Sequence, residues 1–215
     1  MGGYYTVVQG DHLSKIAKEN GFPDYHIIWD HPNNADLKNK RKNPNVLFPG
    51  DQVFVPDMEE KQESGSTEKR HTFVVKREPL KLRLVLEDSD KKPIANAQYA
   101  LLVEGTVTQN VTDSRGHIEQ EIPQDAQEAT LVLRGEGIPF TDVPISIKIG
   151  HLDPVEEVSG QVARLNNLGY SAGEGDENDD AFKSAVGNFQ RDHGLTVDGK
   201  CGPLTQAKLK KVHGC

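Results

Sequence analysis

The sequence predicts a multi-domain α+β protein made of three small modules in a row. Apolar residues alternate with period two in the middle of the chain, whereas they recur at helical spacing near its C-terminal end. A polar stretch separates the middle from the N-terminal part. Only 6% of the 215 residues are aromatic and one is Trp, so several small cores fit better than one large core. The predicted modules are residues 1–57, 71–150 and 151–215, with a linker at 58–70.

The N-terminal module contains both the period-two spacing of strands and the spacing of helices. The predicted elements follow one another in the order β, α, α, β. Gly10 and Gly50 permit tight turns, and Asp11 is placed to cap a helix that begins at Leu13. This order predicts a pair of helices packed on a two-stranded antiparallel sheet. The predicted strands are 4–8 and Gln52–Val55, and the predicted helical stretches are Leu13–Glu19, 24–29 and 34–38.

The polar stretch at 57–70 contains one apolar residue among fourteen, so it predicts a linker. After it, period-two alternation begins at Leu80, Leu82, Leu84 and Leu86. The same pattern recurs along the middle of the chain, separated by turns rich in Asp, Gly and Pro. About seven short strands of this kind predict an antiparallel β-sandwich. The further strand signals lie at 99–103, 118–122, 131–133 and 143–149.

The C-terminal module has helical spacing. Asp153 is suited to cap a helix, Pro154 to its first position, and Gly169 to its end. A second helix is predicted from 179 to 189 and a third from Pro203, so three short helices form this module. The apolar stripe of the first helix contains Val155, Val158, Val162, Leu165 and Leu168.

The N-terminal module resembles a LysM domain over residues 4–57. Residues 5–17, YTVVQGDHLSKIA, are similar to the family's opening Y-x-V-x-x-G-D-T-L-x-x-I-A. Residues 43–56, NPNVLFPGDQVFVP, are similar to its proline- and glycine-containing ending. His12 stands where the family usually has Thr or Ser, and an insertion at 31–42 is longer than usual.

LysM domains bind N-acetylglucosamine-containing glycans in a shallow groove between two loops, and the resemblance implies the same groove here. Backbone and short polar groups would hold the N-acetyl amide, and an apolar floor would take its methyl group. The alternative is that these residues only form turns and caps. The implied groove residues are Gly10, Asp11, His12 and Leu13 on one loop and Asn43, Pro44, Asn45, Val46 and Leu47 on the other.

Residues 162–209 resemble the three-helix peptidoglycan-binding domain that is often attached to cell-wall hydrolases. Residues 189–205, FQRDHGLTVDGKCGPLT, keep nearly all of the family's F-Q-x-x-x-G-L-x-V-D-G-x-x-G-P-x-T. Most matched positions are core or turn residues by their chemistry. The remaining candidates for surface contact with the wall, each with a structural role as the alternative, are Tyr170, Gln190, Arg191 and Asp198.

The middle module is similar to transthyretin-like or Ig-like β domains at 92–101, KPIANAQYAL, and at 112–118, TDSRGHI. Together with residues 28–51, this pattern resembles accessory proteins encoded beside the spike proteins of bacterial type VI secretion systems. The resemblance implies a type VI spike protein or effector as a partner. The N-terminal residues lack signal-peptide features, so we expect synthesis in the cytoplasm and delivery by the secretion apparatus to the periplasm or cell wall.

Composition and motifs argue against several other functions. The chain carries 25 Lys and Arg against 33 Asp and Glu, a net charge of -8, so nucleic acid is not an expected partner. The sequence contains no run of 18 apolar residues, so no membrane span is predicted. The eight histidines show no metal-ligand spacing and no catalytic motif is found, so we expect no metal, no cofactor and no enzymatic activity. Cys201 and Cys215 are expected either as two free thiols or as one disulfide.

The sequence therefore predicts a non-catalytic accessory protein that binds the N-acetylglucosamine glycan of peptidoglycan. Two weak wall-binding modules on one chain would bind more tightly together than either would alone, because binding of the first raises the effective concentration of the second at the wall. The alternative is a structural adaptor that docks on a spike, baseplate or effector without binding glycan.

Overall fold

The computed structural model of the chain describes residues 2–58, 64–72, 79–135, 141–175 and 179–215. Within them the chain forms six α-helices, one short 3-10 helix and eight strands in antiparallel sheets. The mixed α+β fold class predicted from the sequence is therefore confirmed. Buried apolar side chains form three separate clusters, which we call the N-terminal, β and C-terminal cores.

The N-terminal module is a two-stranded antiparallel sheet covered by short helices. Strands β1 and β2 pair with Tyr4 opposite Phe54. The helices bury Ile16, Ile28 and Trp29 against the inner face of β2. The elements are β1 at Gly3–Thr6, α1 at Leu13–Glu19, α2 at His26–Trp29, the 3-10 helix at Pro32–Asn34, α3 at Ala35–Arg41 and β2 at Gln52–Val55.

A buried amide connects the helices to the sheet. The Asn34 side-chain nitrogen donates to Ile28 O and to Phe54 O, both at 2.8 Å, and its oxygen accepts from Phe54 N at 2.7 Å. These bonds satisfy backbone groups at the end of α2 and on β2 that would otherwise be buried without partners. The end of α2 and the 3-10 helix are thus fixed to the sheet by one side chain.

The middle of the chain folds as two antiparallel sheets packed face to face. One sheet pairs β3 with β6, and the other has the order β5-β4-β7-β8. Their facing residues share one core, in which Leu82 and Ile118 from the first sheet meet Leu101 and Leu131 from the second. The strands are β3 at Leu80–Val85, β4 at Gln98–Val103, β5 at Thr106–Val111, β6 at His117–Ile122, β7 at Glu128–Arg134 and β8 at Pro144–Lys148.

Three helices form the C-terminal module, as the sequence predicts. Asp179 caps the second helix by accepting from Ala181 N at 2.9 Å, and Pro203 occupies the start of the third. Phe182, Phe189 and Leu209 lie at the centre of the core. The helices are α4 at Val158–Asn167, α5 at Asp180–Asp192 and α6 at Pro203–His213.

Helix α4 begins four residues later than Pro154, the start that the sequence predicts. The carbonyls of Asp153 and Val155 accept side-chain hydrogen bonds from Arg164 at 2.7 Å and Gln161 at 2.9 Å instead of entering the helical ladder. Residues 153–157 therefore form an irregular approach to the helix. The prediction was wrong because these side-chain bonds replace the first helical turn.

Of the predicted linker, residues 64–70 contain no helix or strand, and residues 59–63 lie outside the described residues. The linker remains a prediction.

Candidate functional site

The two N-terminal loops predicted to form a groove lie side by side. The Leu13 backbone nitrogen, at the end of the first loop, donates to Pro44 O of the second at 3.0 Å. We call the space bounded by residues 10–13 and 43–47 the N-terminal groove. The fold therefore brings all nine predicted glycan-binding residues into two adjoining loops.

Most of these residues are buried. Gly10, Asp11, His12 and Leu13 are inaccessible along the first loop. On the second loop only Asn45 is exposed, Asn43 and Pro44 are half-buried, and Val46 and Leu47 are buried. Leu13 and Leu47 belong to the N-terminal core, so their side chains face the fold's interior.

Asp11 fixes the shape of the first loop and does not cap helix α1. Its carboxylate accepts from Tyr5 Oη at 2.7 Å, Val8 N at 3.0 Å and Lys15 Nζ at 2.9 Å. Burial opposes the charge, but the hydrogen bonds from Val8, Lys15 and Tyr5 outweigh it and lower the pKa of Asp11. The predicted capping role was wrong because Lys15 and the loop backbone occupy both carboxylate oxygens.

Arg41 and Asp51 form a buried ion pair behind the second loop. The Arg41 Nε and a terminal guanidinium nitrogen donate to the two Asp51 oxygens at 2.6 and 2.8 Å, and Phe48 N donates to the same carboxylate at 3.0 Å. Burial opposes the Asp51 charge, but the bonds from Arg41 and Phe48 prevail and lower its pKa. This bidentate pair fixes the turn that leads into β2.

His12 is the least satisfied polar side chain of the groove. It is 2% exposed, and neither ring nitrogen has a hydrogen-bond partner among the described residues. Burial and the nearby Lys15 charge lower its pKa to about 4. The imidazole is therefore neutral at pH 7, and burying its two nitrogens without a hydrogen bond from the described residues costs free energy.

The groove is covered by the connection between β8 and α4. A Cβ atom placed on Gly150 would lie 2.6 Å from Gly10 O and 3.1 Å from His12 Cδ2, and one placed on Gly10 would lie 3.1 Å from His151 Nε2. The Gln9 side chain donates to His151 O and to Asp153 Oδ1, both at 3.4 Å. The loops thus face another part of the same chain.

In the C-terminal module, Gln190 is buried and holds the following loop. Its amide oxygen accepts from Asp198 N and Gly199 N, both at 3.0 Å. Its nitrogen donates to Asp198 Oδ1 at 2.8 Å and to Lys200 O and Thr205 Oγ1, both at 3.0 Å. All of its hydrogen-bonding capacity is used inside the module, so Gln190 shapes the loop that displays its neighbours.

The other three predicted contact residues lie nearer to the surface. Tyr170 donates to Asp192 at 3.0 Å, and Lys91 of the β module lies 4.7 Å above its ring. Arg191 is exposed and donates to Asn188 Oδ1 at 2.8 Å. The fourth predicted residue, Asp198, is also exposed.

Two exposed apolar side chains of this module were not among the predicted contacts. Leu204, in the first turn of α6, is 81% exposed, and Val197 is 51% exposed. Both lie inside the motif at 189–205, where they are indistinguishable in sequence from core positions. Only the exposure of each side chain identifies them as available for contact.

The described ranges contain no group of three His, Cys, Asp or Glu side chains able to hold a metal ion. None of the helices described is long and apolar enough to cross a membrane. Cys201 and Cys215 are free. Burial raises the pKa of Cys201 to about 11 and also raises that of Cys215, so both are protonated at neutral pH.

Residues 156–209 match the family model described as "Putative peptidoglycan binding domain". The match begins just before α4 and ends within α6. No curated protein and no solved structure significantly matches the chain. The C-terminal helices thus form a domain of the peptidoglycan-binding type.

Proposed function

We propose that the chain is a non-catalytic peptidoglycan-binding protein that acts at the bacterial cell wall. The observation that carries this proposal is the domain match over 156–209, a range that contains α4, α5 and the first part of α6, whose apolar side chains form the C-terminal core. Arg191, Asp198 and Leu204 expose a cation, an anion and an apolar group on this module. Such groups suit a ligand that combines sugar hydroxyls, amides and carboxylates.

The N-terminal groove is proposed as a second, LysM-like contact for N-acetylglucosamine glycan. Its adjoining loops support this, because the Leu13 to Pro44 bond gives the close spacing that the resemblance implies. In this role exposed Asn45 is the residue best placed for a first contact. Leu13 is part of the core, so replacing it would test folding as much as binding.

We further propose delivery by a type VI secretion apparatus, with a spike protein or effector as partner. The support is the sequence pattern at 28–51 and in the β module. A contractile device would let a protein made in the cytoplasm meet peptidoglycan without the general export route.

Co-sedimentation with purified sacculi tests the proposal. We expect the full chain to pellet with sacculi at about 0.15 M salt, where long-range charge effects are screened. Soluble peptidoglycan fragments should release it, and no new soluble product should form. A chain that stays in the supernatant would contradict wall binding, and released product would show an enzyme.

The second candidate is the adaptor, in which the modules dock on a protein partner. The burial of residues 10–13 favours it, because a loop that already contacts its own chain has little surface left for glycan. Asn45→Ala, measured with soluble N-acetylglucosamine oligomers and not with sacculi, distinguishes the two. Loss of sugar binding with partner binding intact supports a glycan groove, and the reverse result supports the adaptor.

A further inference from the structure

The connection between β8 and α4 is fixed at both ends. Ile149 belongs to the β core, and its nitrogen donates to Gln127 O at 2.8 Å. Val155 belongs to the C-terminal core, and its carbonyl accepts from Gln161 at 2.9 Å. Residues 150–156, which begin just after the first anchor and include the second, are named here the covering segment.

The first half of the covering segment lies directly on the first loop of the N-terminal groove. Gly150 has a φ of 77°, and its backbone approaches Gly10 O so closely that a side-chain carbon would lie at 2.6 Å. Cβ atoms essentially never come this close to backbone oxygen. Glycine is therefore required here both for the conformation and for the contact.

The second half of the covering segment reaches the second loop. A cavity of about 10 Å³ is lined by residues of the second loop, of the covering segment and of the C-terminal module: Arg41, Asn43, Val46, Pro154, Val155, Glu156, Arg164, Lys210 and Cys215. This volume is room for about one water molecule. A sugar ring could not enter while the segment is in place.

We propose that the covering segment is an autoinhibitory contact, and that the N-terminal groove takes up an N-acetylhexosamine glycan only after the segment has been displaced. The inference rests on the proposed glycan-binding role of the groove. It explains why Gly10, His12 and Val46 are buried although they lie in the loops that would bind ligand.

Opening requires the modules to move apart. Because Ile149 and Val155 are anchored in different cores, the covering segment cannot swing away alone. The Lys18–Asp125 ion pair, at 2.6 Å, joins the N-terminal module to the turn between β6 and β7. We expect this exposed pair to break on opening, at little cost in free energy.

We call the arrangement in which the covering segment lies on the N-terminal groove the closed state. Gly150→Ala tests this state, and Gly105→Ala is its matched control. Gly105 has a φ of 78°, but a Cβ atom there would meet nothing within 4 Å. Both variants therefore introduce the same backbone strain, and only Gly150→Ala pushes against Gly10. The probe is carbethoxylation of the His12 ring by diethyl pyrocarbonate at pH 7, quantified by mass spectrometry with exposed His71 as the internal reference.

We expect His12 in the wild-type chain to react far more slowly than His71. Gly150→Ala should raise the His12 rate by about tenfold or more, and Gly105→Ala should leave it unchanged. Equal rates for His12 and His71 in the wild type, or no change in Gly150→Ala, would overturn the closed state.

Binding of N-acetylglucosamine oligomers, followed by NMR, tests the consequence. We expect Gly150→Ala to bind them about tenfold more tightly than the wild type or Gly105→Ala. A reactive His12 without gained oligomer affinity would overturn glycan gating. Sacculus pelleting of the wild type is scored separately, so failure of wall binding is distinguishable from failure of gating.

Gln9→Ala provides a milder variant if Gly150→Ala does not fold. Gln9 is exposed and loses only its bonds to His151 O and Asp153. We expect a twofold to fivefold rise, roughly, in His12 reactivity, in line with lost hydrogen bonds. Gln52→Ala is the control, since this exposed residue bonds Thr6 on the paired strand. Equal rates in both variants would count against the covering segment.

Discussion

At the residue scale, the buried Arg41–Asp51 pair shows how charge supports the turn before β2. Both side chains are 4% exposed, whereas Lys40, which lies 3.4 Å from the same carboxylate, is 62% exposed. We expect Arg41→Met to lower the free energy of unfolding by about 3 kcal/mol, because the buried Asp51 charge then keeps only the longer Lys40 contact and the bond from Phe48 N. Lys40→Met should change it by less than about 1 kcal/mol.

Urea unfolding followed by tryptophan fluorescence measures both variants. Trp29 is the one tryptophan of the chain and lies in the N-terminal core, so its emission reports on this module. Equal stabilities for the two variants would show that the Asp51 pairing is unimportant.

His12 predicts a loss of stability in mild acid. Its folded pKa of about 4 lies below the ordinary 6.5, so protons bind the unfolded chain more strongly and stability falls as the pH drops through this window. Between pH 7 and 4.5 the loss is about 2 kcal/mol. The facing charges are Lys15, which lowers the pKa, and Asp11 and Asp125, which raise it.

The same Trp29 measurement at both pH values distinguishes His12→Leu from wild type. We expect His12→Leu to remove most of the pH dependence of the N-terminal module's stability, because leucine leaves no unpartnered nitrogen and no proton site there. His71→Leu, in an exposed segment, should keep it. If the stability of His12→Leu fell with pH as much as that of the wild type, His12 would not be the cause of the acid sensitivity.

The sequence predicts the groove residues as positions but not their burial. YTVVQGDHLSKIA indicates the loop, yet only the fold shows that Asp11 is satisfied by Lys15 and Tyr5. Gln190 likewise reads as a surface amide within its motif, although it is enclosed by the loop at 198–200. Each side chain's role depends on partners that sequence spacing does not reveal.

At the element scale, the two helical glycines of the C-terminal module differ in the space around them, so replacing each by alanine should change stability in opposite directions. A Cβ atom on Gly160 in α4 would lie 2.0 Å from Pro154 O, whereas one on Gly187 in α5 would meet Val197 at an ordinary 3.7 Å. We expect Gly160→Ala to destabilise the module by about 3 kcal/mol or more through overpacking. Gly187→Ala should stabilise it by about 0.5–1 kcal/mol through helix propensity.

Hydrogen exchange of the backbone amides in α4, α5 and α6 measures these effects within the module. Faster exchange in Gly160→Ala and slower exchange in Gly187→Ala are the expected results. The same change in both variants would contradict the close approach of α4 to Pro154.

The observed bounds of helices and strands agree with the sequence prediction where residues within the element determine them. Helix α1 and strand β2 occupy the predicted Leu13–Glu19 and Gln52–Val55. Strand β5 was missed, because this edge strand is exposed along most of its length and lacks an apolar stripe. Its residues are ordered by pairing with β4, which is information from another part of the chain.

At the scale of the whole molecule, the contacts between modules could not be predicted from periodicity. Lys91 packs on Tyr170 and also donates to Leu168 O, so the β module holds the C-terminal helices. Gly10 and Gly150 bring the N-terminal loops to the same junction. These contacts depend on three separate stretches meeting in space.

The two ends of the molecule differ in how much of their proposed binding surface is exposed. The C-terminal domain leaves Arg191 and Leu204 exposed, whereas the N-terminal groove is covered. We therefore expect the resting chain to bind the wall through its C-terminal helices. Both residues lie outside the core, so their replacement should leave the fold intact.

Sacculus binding by two variants of the full chain tests this account most directly. We predict that Arg191→Ala combined with Leu204→Ser weakens binding by about tenfold or more, close to 1.4 kcal/mol. Asn45→Ala and the exposed-cation control Lys211→Ala should remain within about twofold of wild type. Full binding by the double variant, or a loss confined to Asn45→Ala, would contradict wall attachment through the C-terminal domain.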